Sequence, residues 1–287
     1  MEDATPPAQV VDTAFGPVEV LDHGEGPALV TLHGAMGGSD QSWILARALA
    51  GEHPGRRIIA LSRPGYLGTR LAGREAPEQQ ADLVAALLDQ LDVRDASVAA
   101  VSAGGPSAIH FAARYAERCR GLVLVSACTE RLETTPQTMK RMRRMRGLAA
   151  LPGLGALMRH RMRADPDKAA ARAISDPVLR SRTLADPVAG PLLAELQSSV
   201  TRSLGRRLPG SLNDIELFAA LPQLPLDEVR APTLVVHAVD DPVVPVSHAD
   251  DAVGGLQKAE RLRLDGGGHF CLFTHLHQIR AAAARVL

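Results

Sequence analysis

The sequence predicts an α/β fold: a mostly parallel sheet with helices on both faces and a helical segment inserted late in the chain. Three observations carry this. Short, continuously apolar runs alternate with amphipathic helical stretches. One such run, residues 97–101, delivers Ser102 among small residues (Val101-Ser102-Ala103-Gly104-Gly105) directly before a helix-forming stretch. The alternation stops after Cys128 and resumes only at Thr233.

Residues 10–14 and 18–21 are short β-type runs joined by Gly16-Pro17, which reads as an opening antiparallel hairpin. Residues 28–32 form a buried-type strand ending at His33-Gly34, and 42–50 are helical in pattern. A strand at 57–61 and a helix at 77–91 follow. Pro77 suits a first helical turn, and Leu83, Leu87, Leu88 and Leu91 supply one apolar face. Then come the strand that ends at Ser102, a helix at 105–116 and a strand at 121–125. From 129 to 230 no strand pattern occurs, and prolines from Pro136 to Pro225 punctuate helical sequence. A structureless connection of that length is rare, so the stretch is expected to fold as helices. Strands at 233–238 and 261–264 and a last helix from 272 complete the chain. The organisation expected is a core from 1–128 and 231–287, with residues 129–230 inserted as a helical cap. No internal repeat is seen.

The 287 residues are enough to bury a full core. Formal net charge is zero and aromatics are 3%, which argues against nucleic acid as a partner. Three widely spaced cysteines, Cys119, Cys128 and Cys271, fit a reducing compartment better than a disulfide framework. The acidic, Pro-rich start lacks the basic and apolar parts of a secretory leader, and no run approaches the ~20 apolar residues of a membrane span. A cytoplasmic protein without membrane contact is therefore expected. Nothing in the chain points to a particular oligomeric state.

A serine hydroxyl is a weak nucleophile at neutral pH and needs a base, and that base needs an orienting group. In a doubly wound sheet such groups sit at the carboxyl ends of strands. The strand at 233–238 runs into Val239-Asp240-Asp241-Pro242, where Asp241 is the candidate acid and Asp240 the alternative. Turn capping alone explains an aspartate here equally well. The strand at 261–264 runs into Asp265-Gly266-Gly267-Gly268-His269, and His269 is the candidate base. A zinc site from His269, His275 and His277 lacks a carboxylate or cysteine at ligand spacing. The glycine loop His33-Gly34-Ala35-Met36-Gly37-Gly38 can supply an oxyanion donor from the Ala35 N–H, with Ala103 N–H as the second. It has neither the lysine nor the spacing of a nucleotide-binding loop.

The order Ser102, Asp241, His269, each at a strand end, resembles the α/β-hydrolase superfamily. The resemblance rests on L-H-G-A-M-G-G at 32–38, S-R-P-G-Y-L-G-T at 62–69, A-V-S-A-G-G-P-S-A at 100–108, H-A-V-D-D-P-V-V-P at 237–245 and G-G-G-H at 266–269. The elbow here reads A-x-S-x-G, with Ala100 where glycine is usual. The resemblance implies an eight-stranded sheet, a lid inserted after the sixth strand, and no cofactor. A serine at the elbow argues against dehalogenases and epoxide hydrolases, which carry aspartate there. H-G-A-M-G-G departs from the H-G-G-P-G of proline iminopeptidases. The activity implied is hydrolysis of an ester, lactone, thioester or similar acyl bond in a small, largely apolar molecule. A lyase or cyclase on the same fold is the alternative, and a receptor with a vestigial triad a third reading.

Between Arg131 and Asp165 nine basic residues face two acidic ones, and Met139, Met142, Met145 and Leu148 recur every three residues. The plain reading is an amphipathic cap helix with a solvated basic face. The sharper one has the methionines lining a substrate tunnel and the arginines steering an anionic or carrier-bound substrate. Docking of the lid on an anionic membrane surface is the contrasting reading.

Overall fold

The apolar runs pair side by side into one sheet because each is flanked by turn-forming sequence and none can bury both faces alone. The computed structural model describes residues 5–51, 55–148, 153, 156–157, 160 and 165–287. Its strands are β1 (Gln9–Thr13), β2 (Gly16–His23), β3 (Ala28–Leu32), β4 (Arg57–Leu61), β5 (Ala96–Val101), β6 (Cys119–Val125), β7 (Thr233–Ala238) and β8 (Ala259–Leu264). They form one eight-stranded sheet in the order β1-β2-β4-β3-β5-β6-β7-β8. β1 and β2 form the antiparallel hairpin, β2 is antiparallel to β4, and every other pair is parallel.

Register brings the functional loops to one edge. Leu32 lies abreast of Leu61 and Ala100, and Val101 abreast of Val125. Val125 is abreast of Val236, and Ala238 of Leu264. The loops after β3, β5, β7 and β8 therefore leave the sheet on the same side.

Alternation along the strands divides the core between the two faces. Val30, Val98, Leu122, Leu124 and Val235 pack with α2 (Pro77–Gln90), α3 (Gly105–Arg114) and α9 (Ser247–Gly255). Leu29, Ala99, Val123, Leu234 and Val236 pack with α1 (Ser39–Ala50) and the C-terminal helices α10 (Cys271–Thr274) and α11 (Leu276–Ala283). Between β6 and β7 lie α4 (Pro136–Leu148), α5 (Pro166–Ala170), α6 (Pro177–Ala185), α7 (Ala189–Arg202) and α8 (Leu204–Phe218). Among the described residues this stretch holds no strand.

Beyond shifts of one or two residues at element ends, three features differ from the sequence reading. Helix α1 begins at Ser39, directly after Gly38, rather than at 42. Helix α9 was not predicted. Its sequence SHADDAVGG has too few apolar residues to show a period, and it is seated by buried His248, Ala249 and Ala252. The last helix is two helices, broken at His275, whose φ of −127° and ψ of 32° leave the helical region.

In α4, Met139, Met142 and Met145 are half-buried while Lys140 and Arg144 are exposed, and the helix packs on α8. Arg159, Arg161 and Arg163, and the side chains of Arg141, Arg143, Arg146 and Leu148, lie outside the described residues. Among the described residues no helix is long and apolar enough to cross a membrane. All three cysteines are free and buried. Burial pushes the Cys119 and Cys271 thiols up to about 12, which leaves them unreactive at neutral pH.

Four buried histidines, His33, His110, His237 and His248, have pKa values below the ordinary range, burial being the first cause in each. They are neutral in the folded chain and take up protons on unfolding below pH ~6.5. The unfolded state then binds more protons, so stability falls as pH falls, by up to about 1.4 kcal/mol per pH unit for each histidine. Urea midpoints are expected to change little from pH 7.5 to about 6.5 and to drop from there to pH 5.5. An unchanged midpoint across that range would contradict the assignment.

Candidate active site

Strand β5 ends in a tight turn at Ser102, whose φ of +53° is left-handed. That conformation is costly for a residue with a Cβ, on the order of 1–3 kcal/mol, and persists only where the surroundings hold it. Here they do. The carbonyl of Ser102 accepts from the Cys128 N–H at 3.0 Å, which ties the turn to the end of β6. The two glycines that follow have no room for side chains. A Cβ on Gly104 would lie 2.7 Å from the Leu32 carbonyl oxygen, and one on Gly105 2.6 Å from that of Cys128. Gly104 and Gly105 are thus required by backbone of β3 on one side and of the loop after β6 on the other.

Ser102 Oγ lies 3.1 Å from His269 Nε2, and His269 Nδ1 lies 2.8 Å from Asp241 Oδ2. The Asp241 side chain is fully buried and that of His269 is 15% exposed. The loop bearing His269 turns through two left-handed glycines, Gly267 at φ +106° and Gly268 at φ +57°. Asp240, the alternative acid, accepts instead from the Gly268 N–H at 2.8 Å and so braces this loop.

Asp241 also caps its own turn, as the plainer reading expected. Its Oδ1 accepts from the N–H groups of Val243 and Val244 at 2.8 and 3.0 Å, leaving Oδ2 for the histidine. Burial pushes this carboxyl up, but the bond and charge of His269 with the two N–H donors hold it below the ordinary aspartate value. His237 on β7 stands behind it, donating from Nε2–H to the Val244 carbonyl at 2.9 Å.

The glycine loop after β3 presses against the serine: a Cβ on Gly34 would lie 3.0 Å from Ser102 Cβ. His33 shapes the loop. Its Nδ1–H donates to the Gly34 carbonyl at 2.6 Å and its Nε2 accepts from the Arg63 N–H at 3.0 Å. This arrangement needs a neutral ring, which burial and the Arg63 charge both favour. Met36 is left-handed at φ +59°, and its N–H donates to Ser211 Oγ at 2.9 Å. Ala35, between Gly34 and the engaged Met36, is exposed. Ala103, directly after the serine, lies buried at the start of the elbow turn.

Four residues here escaped the sequence reading: Arg63, Tyr66, Ser211 and Asp214. Arg63 donates from Nε to the His33 carbonyl at 2.9 Å and forks onto Asp214 at 3.1 and 2.6 Å. Tyr66 O–H donates to Asp214 Oδ2 at 2.5 Å. Burial disfavours the Arg63 charge, but Asp214 outweighs it and raises its pKa. Arg63 and Tyr66 fall in the 62–69 motif, which carried a resemblance but no role. Asp214 sits in a helix with no sequence signal for a buried acid. His275 and His277 do not join His269: one hydrogen-bonds Thr274 Oγ1 and the other pairs with Asp186.

A strand-ending serine at hydrogen-bonding distance from a histidine, itself held by a buried aspartate, beneath an eight-stranded sheet edge defines a protein class. The chain belongs to the alpha/beta hydrolase fold family, whose model matches residues 27–276. It is 30% identical over 219 residues to the uncharacterized hydrolase YcgS of Bacillus subtilis (strain 168), covering 75% of this chain and 76% of that one. It is 33% identical to the solved alpha/beta hydrolase fold protein from Nakamurella multipartita, covering 98% and 99% of the two chains with a TM-score of 0.85. A thermophilic esterase from Thermogutta terrifontis shares the fold at 18% identity, covering 97% of each chain with a TM-score of 0.69.

Replacing Asp214 with Asn leaves the buried Arg63 charge without a counter-ion. The variant is expected to lose about 3 kcal/mol of stability, the usual cost of breaking a buried pair from one side. A loss below about 1 kcal/mol in chemical denaturation would mean that water reaches the pair.

Proposed function

We propose that the chain is a serine hydrolase that cleaves an ester, lactone, thioester or similar acyl bond through an acyl-enzyme. The observation that carries this reading is the continuous contact from Ser102 Oγ through His269 to the buried Asp241. Ser102 attacks the acyl carbon while His269 Nε2 takes its proton. Asp241 keeps the proton of His269 on Nδ1, so that Nε2 is free to accept, and stabilises the imidazolium that forms. The N–H groups of Ala35 and Ala103 receive the developing oxyanion. His269 then returns the proton to the leaving group, and water repeats the sequence on the acyl-enzyme.

The groups beside the site support a small, largely apolar substrate. Leu179 and Pro242 flank the glycine loop of His269, and Met36 belongs to the oxyanion loop. Residues 129–230 act in this reading as a lid over the elbow, with α4 as its methionine-bearing helix. The hydrolase and esterase names among similar proteins point the same way.

A fluorophosphonate probe is expected to label the wild-type protein at one site and to leave Ser102→Ala unlabelled. Absence of wild-type labelling, or labelling that survives in S102A, would overturn the reading. Among the acids, D241N is expected to lower the labelling rate by about a hundredfold or more, as loss of the orienting carboxylate does. D240N is expected to cost at least ten times less, because an amide oxygen can still accept from Gly268 N–H. Equal losses would mean that Asp241 has no special role.

A further inference from the structure

Helix α8 is joined to the core in an unusual way. Pro209 lies inside it, and lacking an N–H it breaks the regular ladder. The neighbouring backbone groups bond across to the loop after β4. Leu67 N–H donates to the Arg206 carbonyl at 2.9 Å, and Gly210 N–H donates to the Gly65 carbonyl at 2.8 Å. The backbones approach so closely that a Cβ on Gly65 would lie 2.5 Å from Gly210 Cα. Arg207 is 1% exposed and forks onto Asp40 at 3.1 and 2.6 Å, with a longer contact from its Nη1 to the Met36 carbonyl.

From this helix Ser211 reaches the oxyanion loop. Its Oγ accepts the Met36 N–H at 2.9 Å. The hydroxyl proton of Ser211 has two acceptors, the Arg207 carbonyl at 3.1 Å and Tyr66 Oη at 3.3 Å. Tyr66 spends its own proton on Asp214, and Asp214 is forked by Arg63, which in turn holds the His33 carbonyl. The polar chain closes on itself: it starts at Met36, crosses α8, and returns to the first residue of the same loop. Every donor in it has an acceptor.

We propose that Ser211 is a positioning residue for the oxyanion hole. It fixes Met36 in its left-handed conformation and draws the Met36 N–H away from the serine, so that the loop offers Ala35 N–H to the developing charge. Ser211 touches no reacting atom and acts through the loop. The inference rests on the acyl-transfer reading above. It places part of the segment between β6 and β7 inside the catalytic framework rather than over it.

The test is the kinetics of fluorophosphonate labelling, separated into reversible binding (KI) and the bond-forming rate (kinact). Phosphonylation puts negative charge on an oxygen in that same hole. Ser211→Ala is expected to lower kinact about tenfold, less than outright loss of an oxyanion donor, with KI unchanged. Ser211→Thr keeps the acceptor oxygen and is expected to recover most of the rate. Undiminished kinact in S211A, a loss confined to KI, or an equal loss in S211T would overturn the proposal. If S211A does not fold, Ser211→Cys, with its weakly accepting sulfur, replaces it with the same expectations. Failure of the wild-type protein to label sinks the acyl-transfer reading and this inference together. A labelled wild type with an unimpaired S211A sinks this inference alone.

Discussion

The left-handed backbone of Ser102 is the constraint on which the rest of the site depends. A serine at φ +53° projects its hydroxyl out of the sheet edge instead of along the strand. The cost is met by contacts from both neighbours: the loop after β6 holds the Ser102 carbonyl through Cys128, and the loop after β3 closes on its side chain through Gly34. The absence of side chains at Gly34, Gly104 and Gly105 follows from that crowding. The parallel register, which brings the ends of β3, β5 and β6 level, places that backbone around the serine. His269 and Asp241 come from β8 and β7, further along the same edge, and meet the serine only because these strands stop together.

A second framework holds the loop after β3. Arg63, Asp214 and Tyr66 form a buried network that His33 and Ser211 join to the backbone of residues 33–36. A buried ion pair is weak evidence for net stability, since desolvation offsets the attraction. Its contribution is geometric: through Asp214 it ties α8 to Arg63 and Tyr66 in the loop after β4, and through Arg63 to the His33 carbonyl. The break at Pro209 serves the same end by turning helix backbone groups outward to the core. The exposed surface of α4, by contrast, has no comparable attachment among its described side chains.

Much of this was legible in the sequence because it follows from local pattern. Short β-type runs, largely apolar in the central strands and mixed in β1, β2 and β8, marked all eight strands, and glycine and aspartate at their ends marked where loops carry chemistry. Ser102, Asp241 and His269 were readable because each closes a strand. The choice between Asp241 and Asp240 was not, since both are short acids in one turn, and it is set by which oxygen faces the histidine and which faces Gly268. Helix α9 was invisible for lack of apolar periodicity. The Arg63–Asp214 and Met36–Ser211 contacts span 151 and 175 residues, and no local signal encodes a partner at that distance. The break at His275 is likewise a tertiary effect, in a stretch that looks continuously helical.

Ser102 is proposed as a nucleophile facing an oxyanion hole made by Ala35 and Ala103. The decisive experiment is a crystal structure of the protein soaked with a simple alkyl boronic acid. Continuous density is expected from Ser102 Oγ to a tetrahedral boron, with one boron-bound oxygen about 2.7–3.1 Å from both N–H groups. A boronate bound at another side chain, or joined to Ser102 with that oxygen turned away from both donors, would contradict it.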